Sequence, residues 1–304
     1  MLTKNIQFKS FRLKLNNLNL KKDLKILFNK KNEILKSLTS SYNYSYSNKL
    51  VNKFKKKPNF IRVIGMGGSI LGAEAIYEFL KHKIKKNFLF INNLKQSQTI
   101  RNINQKNTNI IVSKSGNTLE TISNVNIIVK KKDNNIFIVE NNNSYLRTLA
   151  HKLKAEIIDH NNYIGGRYSV LSEVGMLPAE LMGLSEKKFK QLNNLIKNKK
   201  FINALTNNVS AILKLVKKNK YTSIILNYDE RSDNLFKWYQ QLIAESLGKK
   251  SNGILPVISS MPKDNHSLMQ LYLDGPKKSF YTFFYAFEKN TTKIKNNQLL
   301  SSYN

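Results

Sequence analysis

Short apolar runs alternate with amphipathic segments between residues 60 and 159, and this alternation limits the possible fold more than any other feature. Five apolar runs predict strands, at residues 60–64, 88–91, 109–112, 136–139 and 155–159. The segments 70–81, 119–129 and 144–153 between them carry apolar residues at helical spacing. Such alternation predicts βαβ units in a parallel sheet, where ligands bind beyond the carboxyl ends of the strands.

A second, shorter α/β cycle follows a helical stretch. Helices are predicted at residues 173–182, 186–197 and 201–218. After them come strands at 222–227, 253–259 and 279–287, separated by helices at 232–247 and 265–273. Because this cycle has fewer strands than the first, we expect two α/β domains with mainly parallel sheets, the second incomplete at its C-terminal end.

Composition excludes several classes of site and partner. The chain has 51 Lys+Arg and 19 Asp+Glu residues, a formal net charge of +32, and no cysteine. A chain without cysteine has no disulfides, Cys-ligated zinc sites or thiol nucleophiles, and it fits a reducing cytoplasm. The lysines are scattered, which does not favour specific nucleic-acid binding. The longest apolar run, residues 280–287, is too short to cross a membrane, and we expect neither a membrane span nor a signal peptide.

Two connections that follow predicted strands carry residues suited to anion binding. Residues 65–69 (Gly-Met-Gly-Gly-Ser) lack the last glycine of the dinucleotide fingerprint, so they suit either a tight turn or a phosphate or sugar contact. Residues 113–121 (Ser-Lys-Ser-Gly-Asn-Thr-Leu-Glu-Thr) place three hydroxyl groups around a predicted helix start. Because one helix cap needs one hydroxyl, the surplus favours a phosphate monoester over a capping cluster. No P-loop lysine pattern is present, which favours a sugar phosphate over a nucleotide.

Three further places supply groups for catalysis. Arg167 lies beside two glycines between the predicted domains, which suits either binding of a developing anion or a flexible hinge. Gln241 and Glu245 are four residues apart on one helix face, so Glu245 is either a general base or an ordinary surface carboxylate. His266 lies at a predicted helix start, where a polar residue is common. No two histidines have metal-ligand spacing, so we expect no metal site.

Taken together, these motifs resemble the phosphoglucose isomerase family in type and in order. They are G-x-G-G-S at 65–69, S-K-S-G-N-T-x-E-T at 113–121, G-G-R-Y-S at 165–169, Q-L-x-x-E-S-x-G-K at 241–249 and D-x-H-S-x-x-Q at 264–270. The first two indicate only the sugar-isomerase (SIS) superfamily, whereas residues 162–172 closely resemble the family's own signature. The resemblance covers residues 60–285.

The resemblance implies two sugar-isomerase-type three-layer αβα domains. It implies the reversible aldose–ketose isomerisation of glucose 6-phosphate and fructose 6-phosphate, in glycolysis and gluconeogenesis and without a cofactor. It also implies a phosphate site whose residues are Ser113, Lys114, Ser115 and Thr118, with Gly68 and Ser69 nearby.

The resemblance further implies roles in catalysis. Glu245 matches the family's base, which moves a proton between C2 and C1 through a cis-enediol intermediate. Arg167 matches the residue that stabilises the enediolate, and Gln241 matches a glutamine that contacts substrate. His266 matches the histidine that assists ring opening, which in the family comes from the partner subunit of a homodimer.

The chain also departs from the family. Glu173 stands where the signature usually has a small residue. The family's later segment D-Q-x-G-V-E-x-x-K, whose lysine contacts the sugar, has no match at residues 297–300 or elsewhere. We expect an N-terminal helical segment (1–58), a first sugar-isomerase domain with the phosphate site (59–160), and linker helices with a second, truncated domain (161–304).

Three interpretations stay open at this stage. The chain is an isomerase of glucose phosphates, or one that also accepts mannose phosphates. Alternatively it is a non-catalytic sugar-phosphate-binding sensor, which needs no base. In the third interpretation it is an inactive, truncated isomerase.

Overall fold

The computed structural model describes residues 18–29, 33–56, 60–94 and 107–286, and two parallel sheets organise this part of the chain. The first sheet consists of β1 (Phe60–Gly65), β2 (Asn87–Ile91), β3 (Thr108–Val112), β4 (Asn134–Val139) and β5 (Glu156–Asp159). The strand order is β2-β1-β3-β4-β5, and every neighbouring pair is parallel. All five predicted strands are confirmed, with ends that differ by one or two residues.

Helices cover both faces of this sheet. Successive side chains of a strand point to opposite faces, and in these buried strands both sets are mainly apolar. Ile61 and Val63 of β1 pack into one core, and Ile64 packs into the other. The first core is covered by α3 (Asn48–Lys55), α4 (Leu71–Leu80) and α7 (Glu173–Leu181), and the second by α5 (Leu119–Ile128) and α6 (Tyr145–Lys152). The predicted three-layer αβα arrangement is therefore observed, although α3 was not predicted.

The second sheet has three described strands, β6 (Thr222–Asn227), β7 (Leu255–Ser260) and β8 (Ser279–Phe284), in the parallel order β7-β6-β8. Helix α10 (Asp233–Leu247) packs on this sheet and also against α4, so it joins the two sheets. Helix α11 (Met269–Asp274) packs on the opposite face through Met269 and Tyr272. The strand predicted at 279–287 ends at Phe284, and residues 287 and 297–300 lie outside the described part.

The remaining helices are α1 (Leu18–Asn29), α2 (Glu33–Ser37), α8 (Leu192–Lys197) and α9 (Lys199–Lys217). Helices α1 and α2 confirm the predicted N-terminal amphipathic helices, and α1 packs on α9. Of the helices in these described ranges, none has the length and apolar character needed to cross a membrane.

Two predicted helices begin later than expected, and in each case a polar side chain near the predicted start bonds to residues outside the helix. The predicted helix 186–197 is a short 3₁₀ turn followed by α8, since the Lys190 ammonium turns inward to the carbonyls of Ser37 and Leu171. The predicted helix 265–273 starts only at Met269. There, Asp264 accepts hydrogen bonds from the Ser259 hydroxyl (2.9 Å), the amide of Ser260 (2.8 Å) and the Ser267 hydroxyl (3.2 Å).

A buried polar cluster ties the N-terminal loop, residues 40–47, to α7. The Tyr42 hydroxyl lies 2.9 Å from both carboxylate oxygens of Glu173, the first residue of α7. The Lys190 ammonium lies 4.5 Å from the centroid of the Tyr42 ring. Burial lowers the pKa of Lys190 to about 8, an effect that the charges of Glu173 and Glu186 partly oppose.

The Lys190 pKa predicts how stability changes in alkaline solution. In the folded chain the pKa is about 8, below the ordinary 10.5, so between these values the unfolded chain binds more protons. Between pH 8 and 10.5 the free energy of unfolding of the wild type, measured relative to that of Lys190→Met, should therefore rise with pH. The rise is at most ~1.4 kcal/mol per pH unit.

Urea unfolding of both proteins between pH 7.5 and 10 checks this prediction, and a difference that is flat or falls with pH contradicts it. Burial also raises the pKa of Tyr42, Tyr44 and Tyr46. These tyrosines ionise first in the unfolded chain and lower stability above pH 10, which sets the upper limit of the measurement.

Candidate active site

The glycine turn after β1 touches the segment that follows β5. Gly67 has a φ of +53°, a conformation that favours glycine. A Cβ atom on Gly68 would lie 2.3 Å from the carbonyl carbon of Gly166 and 2.6 Å from the amide nitrogen of Arg167. The Ser169 hydroxyl donates to the carbonyl oxygens of Gly166 (2.7 Å) and Gly68 (3.2 Å). The two backbones thus meet without a side chain between them, beside Ser69.

This close contact makes Gly68→Ala disruptive and Gly166→Ala mild. The alanine methyl at 68 would overlap backbone atoms that cannot rotate away, which should lower the free energy of unfolding by about 1–3 kcal/mol. At Gly166 the nearest atom would be 3.8 Å from the new Cβ, an ordinary contact. Denaturant unfolding of both variants measures the difference, and equal midpoints for the two would contradict the described contact.

Arg167 is held over the C-terminal turns of α10. Its Nε donates to the Ser246 hydroxyl at 2.9 Å, and its Nη1 donates to the Glu245 carboxylate at 3.3 Å. The backbone carbonyl of Arg167 accepts a hydrogen bond of 3.0 Å from the Trp238 indole. The guanidinium also lies 4.5 Å from the Tyr168 ring. Four contacts therefore fix both ends of this residue.

Gln241 and Glu245 share one face of α10, as predicted. The Gln241 amide donates to the second carboxylate oxygen of Glu245 at 2.7 Å, and it lies against Gly67. Among the described residues, the buried Gln241 Oε1 has no hydrogen-bond donor. The Glu245 side chain is 49 % exposed. Its neighbours are a cation and an amide.

The second anion-binding connection follows β3, the strand next to β1. Ser113 is buried, and its hydroxyl lies 3.0 Å from that of Thr118. Thr118 precedes α5 without a side-chain capping bond, so capping does not use these hydroxyls. The Ser115 hydroxyl accepts the Asn117 amide at 3.2 Å, and Lys114 reaches the carbonyl of Asn162 (2.7 Å) and the carboxylate of Glu140 (3.5 Å).

Both connections leave the carboxyl edge of the first sheet at a switch point. From β1 the chain goes outward to β2, whereas β3 starts the opposite half of the sheet. Gly65 and Val112, the last residues of β1 and β3, pair in register, so the glycine turn and the hydroxyl loop 113–118 begin side by side. Crevices at such points are where open α/β sheets bind ligands.

His266 lies apart from this cluster. It is exposed and follows the carboxyl end of β7. Glu245 lies toward the other end of that strand, because Gln240, five residues earlier on α10, donates to the carbonyl of Pro256 at 3.0 Å. Six residues of strand, at ~3.3 Å each, separate the two ends. Within the described chain His266 therefore does not join Arg167 and Glu245.

Sequence reasoning missed three neighbours of Arg167, namely Ser246, Tyr168 and Trp238. Tyr168 lies in the motif at 165–169 and Ser246 in the motif at 241–249, and these places could have indicated that both belong to the site. Their hydroxyl groups lie 3.0 Å apart, and the hydrogen bond to Ser246, together with the charge of Arg167, lowers the pKa of Tyr168. Over the described residues, no three His, Asp or Glu side chains group closely enough to hold a metal ion.

A family model for phosphoglucose isomerase matches residues 18–261. The chain belongs to the phosphoglucose isomerase family. It is 35 % identical to the glucose-6-phosphate isomerase of Methanocaldococcus jannaschii over 239 residues, which are 74 % of this chain and 59 % of that protein. It is 33 % identical to that of Acholeplasma laidlawii over 269 residues, which are 79 % of this chain and 62 % of that protein. The chain thus spans less than two thirds of the length of these two relatives.

Solved structures with the same fold include a glucose-6-phosphate isomerase and a protein described as hypothetical. A glucose-6-phosphate isomerase from Chlamydia trachomatis superposes with a TM-score of 0.63 over 83 % of this chain and 52 % of its own, at 20 % identity. A hypothetical protein from Thermus thermophilus gives a TM-score of 0.74 over 94 % of this chain and 74 % of its own, also at 20 % identity. These likenesses establish the α/β fold with parallel sheets.

Proposed function

We propose that this chain interconverts glucose 6-phosphate and fructose 6-phosphate, as a cytoplasmic enzyme of glycolysis and gluconeogenesis. The observation that carries the proposal is the bonded set of Arg167, Gln241 and Glu245 at the glycine turn, next to the hydroxyl loop at a switch point. Isomerisation of a sugar phosphate needs a base, a cation for the developing oxyanion and an anchor for the phosphate. This site supplies a group for each need.

The phosphate group of the substrate anchors on the hydroxyl loop in this proposal. Its ligands are the loop residues Ser113, Lys114, Ser115 and Thr118, with Gly68 and Ser69 on the facing turn. The uncapped start of α5 supports this assignment, because free helix amides and hydroxyl groups favour a bound anion. Binding energy from the phosphate, which does not react, orients the sugar carbons toward Glu245.

Glu245 acts as the general base. Its carboxylate takes the proton from C2 of the open-chain aldose, and the C–H electron pair forms the C1=C2 double bond of a cis-enediolate. Negative charge moves to O1, where the Arg167 guanidinium stabilises it. A proton passes from O2 to O1, the carboxyl group returns its proton to C1, and O2 becomes the ketone oxygen. Gln241 holds a sugar hydroxyl during these steps.

His266 assists ring opening from the partner subunit of a homodimer in this proposal. The separation of His266 from Glu245 along β7 supports this assignment, since a single chain does not bring the two together. The exposure of His266 leaves its imidazole accessible to a second chain.

An assay of the purified chain tests the proposed activity. Fructose 6-phosphate is the substrate, and glucose 6-phosphate is detected through a coupled dehydrogenase. We expect turnover that disappears in Glu245→Ala, prepared in parallel to reveal any isomerase from the expression host. Tight binding of fructose 6-phosphate without turnover would contradict the proposal and favour a sugar-phosphate sensor.

A further inference from the structure

The segment that carries Arg167 is a closed loop whose two ends meet at one buried carboxylate. Asn161 begins the loop and Glu173 ends it, and the Asn161 amide lies 3.4 Å from the Glu173 carboxylate. The Asn161 amide also donates to the Tyr42 hydroxyl, which itself donates to Glu173. Tyr42 therefore holds both ends of the loop, at a point defined here as the neck.

The carboxylate at the neck is buried and well bonded. Glu173 is 0 % exposed, and besides Tyr42 it accepts the amide of Ser45 at 3.1 Å. Lys190 supplies a positive charge nearby, lying over the Tyr42 ring and donating to the carbonyl of Leu171 within the loop. A buried carboxylate is costly unless hydrogen bonds and a counter-charge surround it, and both are present.

Hydrogen bonds connect the neck with the middle of the loop, where Arg167 lies. The Ser172 hydroxyl, next to Glu173, donates to the carbonyl of Ser169 at 2.7 Å. Ser169 in turn bonds Gly166 and Gly68, the backbone contact that sets the position of Arg167. The loop thus has two fixed points, at the neck and at the glycine turn.

We propose that Glu173 is a positioning residue, which with Tyr42 and Lys190 clamps the neck of the loop 161–173 and so holds Arg167 against Glu245. The small residue usual at this place in the family signature would leave Tyr42 without its acceptor. The role in turnover rests on the proposed isomerase activity, whereas the clamp concerns the loop geometry alone. The N-terminal loop 40–47, far from the site in sequence, thereby becomes part of the support of the site.

Arg167 stabilises charge that develops only in the transition state, and the phosphate binds elsewhere. A loosened clamp should therefore lower kcat while leaving KM nearly unchanged. Tyr42→Phe removes one hydroxyl, and Glu173→Ala removes the carboxylate. Since displacement of a catalytic group by ~1 Å costs up to ~100-fold, we expect kcat losses of about tenfold with KM within about twofold. Glu173→Gln still accepts the Tyr42 proton and should lose less than Glu173→Ala.

Tyr46→Phe is the matched control. The Tyr46 hydroxyl comes from the same N-terminal loop and donates to Glu180 of the same helix at 2.8 Å, two turns beyond the neck. This variant should keep the wild-type kcat. Circular dichroism melts of all variants show the folded fraction at the assay temperature. The clamp is wrong if kcat of Tyr42→Phe and Glu173→Ala, corrected for the folded fraction, equals that of the wild type. It is also wrong if Tyr46→Phe loses as much kcat as Tyr42→Phe.

The fluorescence of Trp238 gives a second test of the clamp, one that needs no turnover. It is the single tryptophan of the chain, and its indole donates to the carbonyl of Arg167. Its emission should shift in Tyr42→Phe and Glu173→Ala but not in Tyr46→Phe. If the wild type has no isomerase activity, the proposed function fails while this emission still decides the clamp. Unchanged emission in all three variants would overturn the clamp even in an active enzyme.

Discussion

Glu245→Gln should lower kcat for fructose 6-phosphate by about 10²–10⁴-fold, the usual contribution of a general base. The amide keeps the shape of the side chain and cannot take a proton from carbon. Glu245 is half exposed, so the change should leave the fold intact. Coupled kinetics in both directions measure the loss, with KM expected to stay near the wild-type value.

The matched control for this change is Glu230→Gln, an exposed carboxylate just before the start of α10. It should retain full activity. If Glu245→Gln kept more than about a tenth of the wild-type kcat, the base would have to be another group.

Arg167→Lys should lower kcat by about 10²–10³-fold, the range found when a donor to a developing oxyanion is removed. The guanidinium donates to Ser246 and Glu245 through two different nitrogens, whereas an ammonium on a flexible stem does not reproduce this fork. A loss confined to kcat indicates transition-state stabilisation, and a rise in KM alone indicates ground-state binding.

Arg231→Lys is the control for this change. Arg231 lies just before α10, at the end opposite Glu245, and its Nε likewise donates to a neighbouring side chain, Asp229, at 2.9 Å. A lysine keeps the positive charge but loses the two donating nitrogens of the guanidinium. This loss should lower kcat at residue 167 and leave it unchanged at residue 231. Similar small losses in both variants would contradict the role of Arg167.

The strands were predictable from sequence because apolar runs bounded by glycine or polar residues report local burial. The set of Arg167, Gln241 and Glu245 was predictable in kind, since each residue lies in a motif. Its hydrogen-bond partners were less so, because Ser246 and Trp238 reach Arg167 across more than 70 residues of sequence. Periodicity carries no record of such contacts.

The clamp at Glu173 was beyond sequence reasoning altogether. Its members, Tyr42, Glu173 and Lys190, come from three separate segments, and the sequence showed only that Glu173 was unusual at its place. The late start of α11 was also missed: the Asp264 carboxylate accepts hydrogen bonds from Ser259 and Ser260 of β7 as well as from the Ser267 hydroxyl. The position of His266 relative to Glu245 depends on which end of β7 each residue lies near. The packing of α10 on the sheet decides this, and the sequence does not show it.

Exchange of substrate protons with solvent tests the central claim, that the Glu245 carboxylate moves a proton between C2 and C1. Fructose 6-phosphate is incubated with the chain in D₂O and followed by proton NMR. Because Glu245 is half exposed, its carboxyl proton should exchange, and deuterium should appear at C2 of the glucose 6-phosphate formed. Glu245→Gln should abolish this incorporation. Incorporation by Glu245→Gln at the wild-type rate would contradict the account, because another group would then remove the proton.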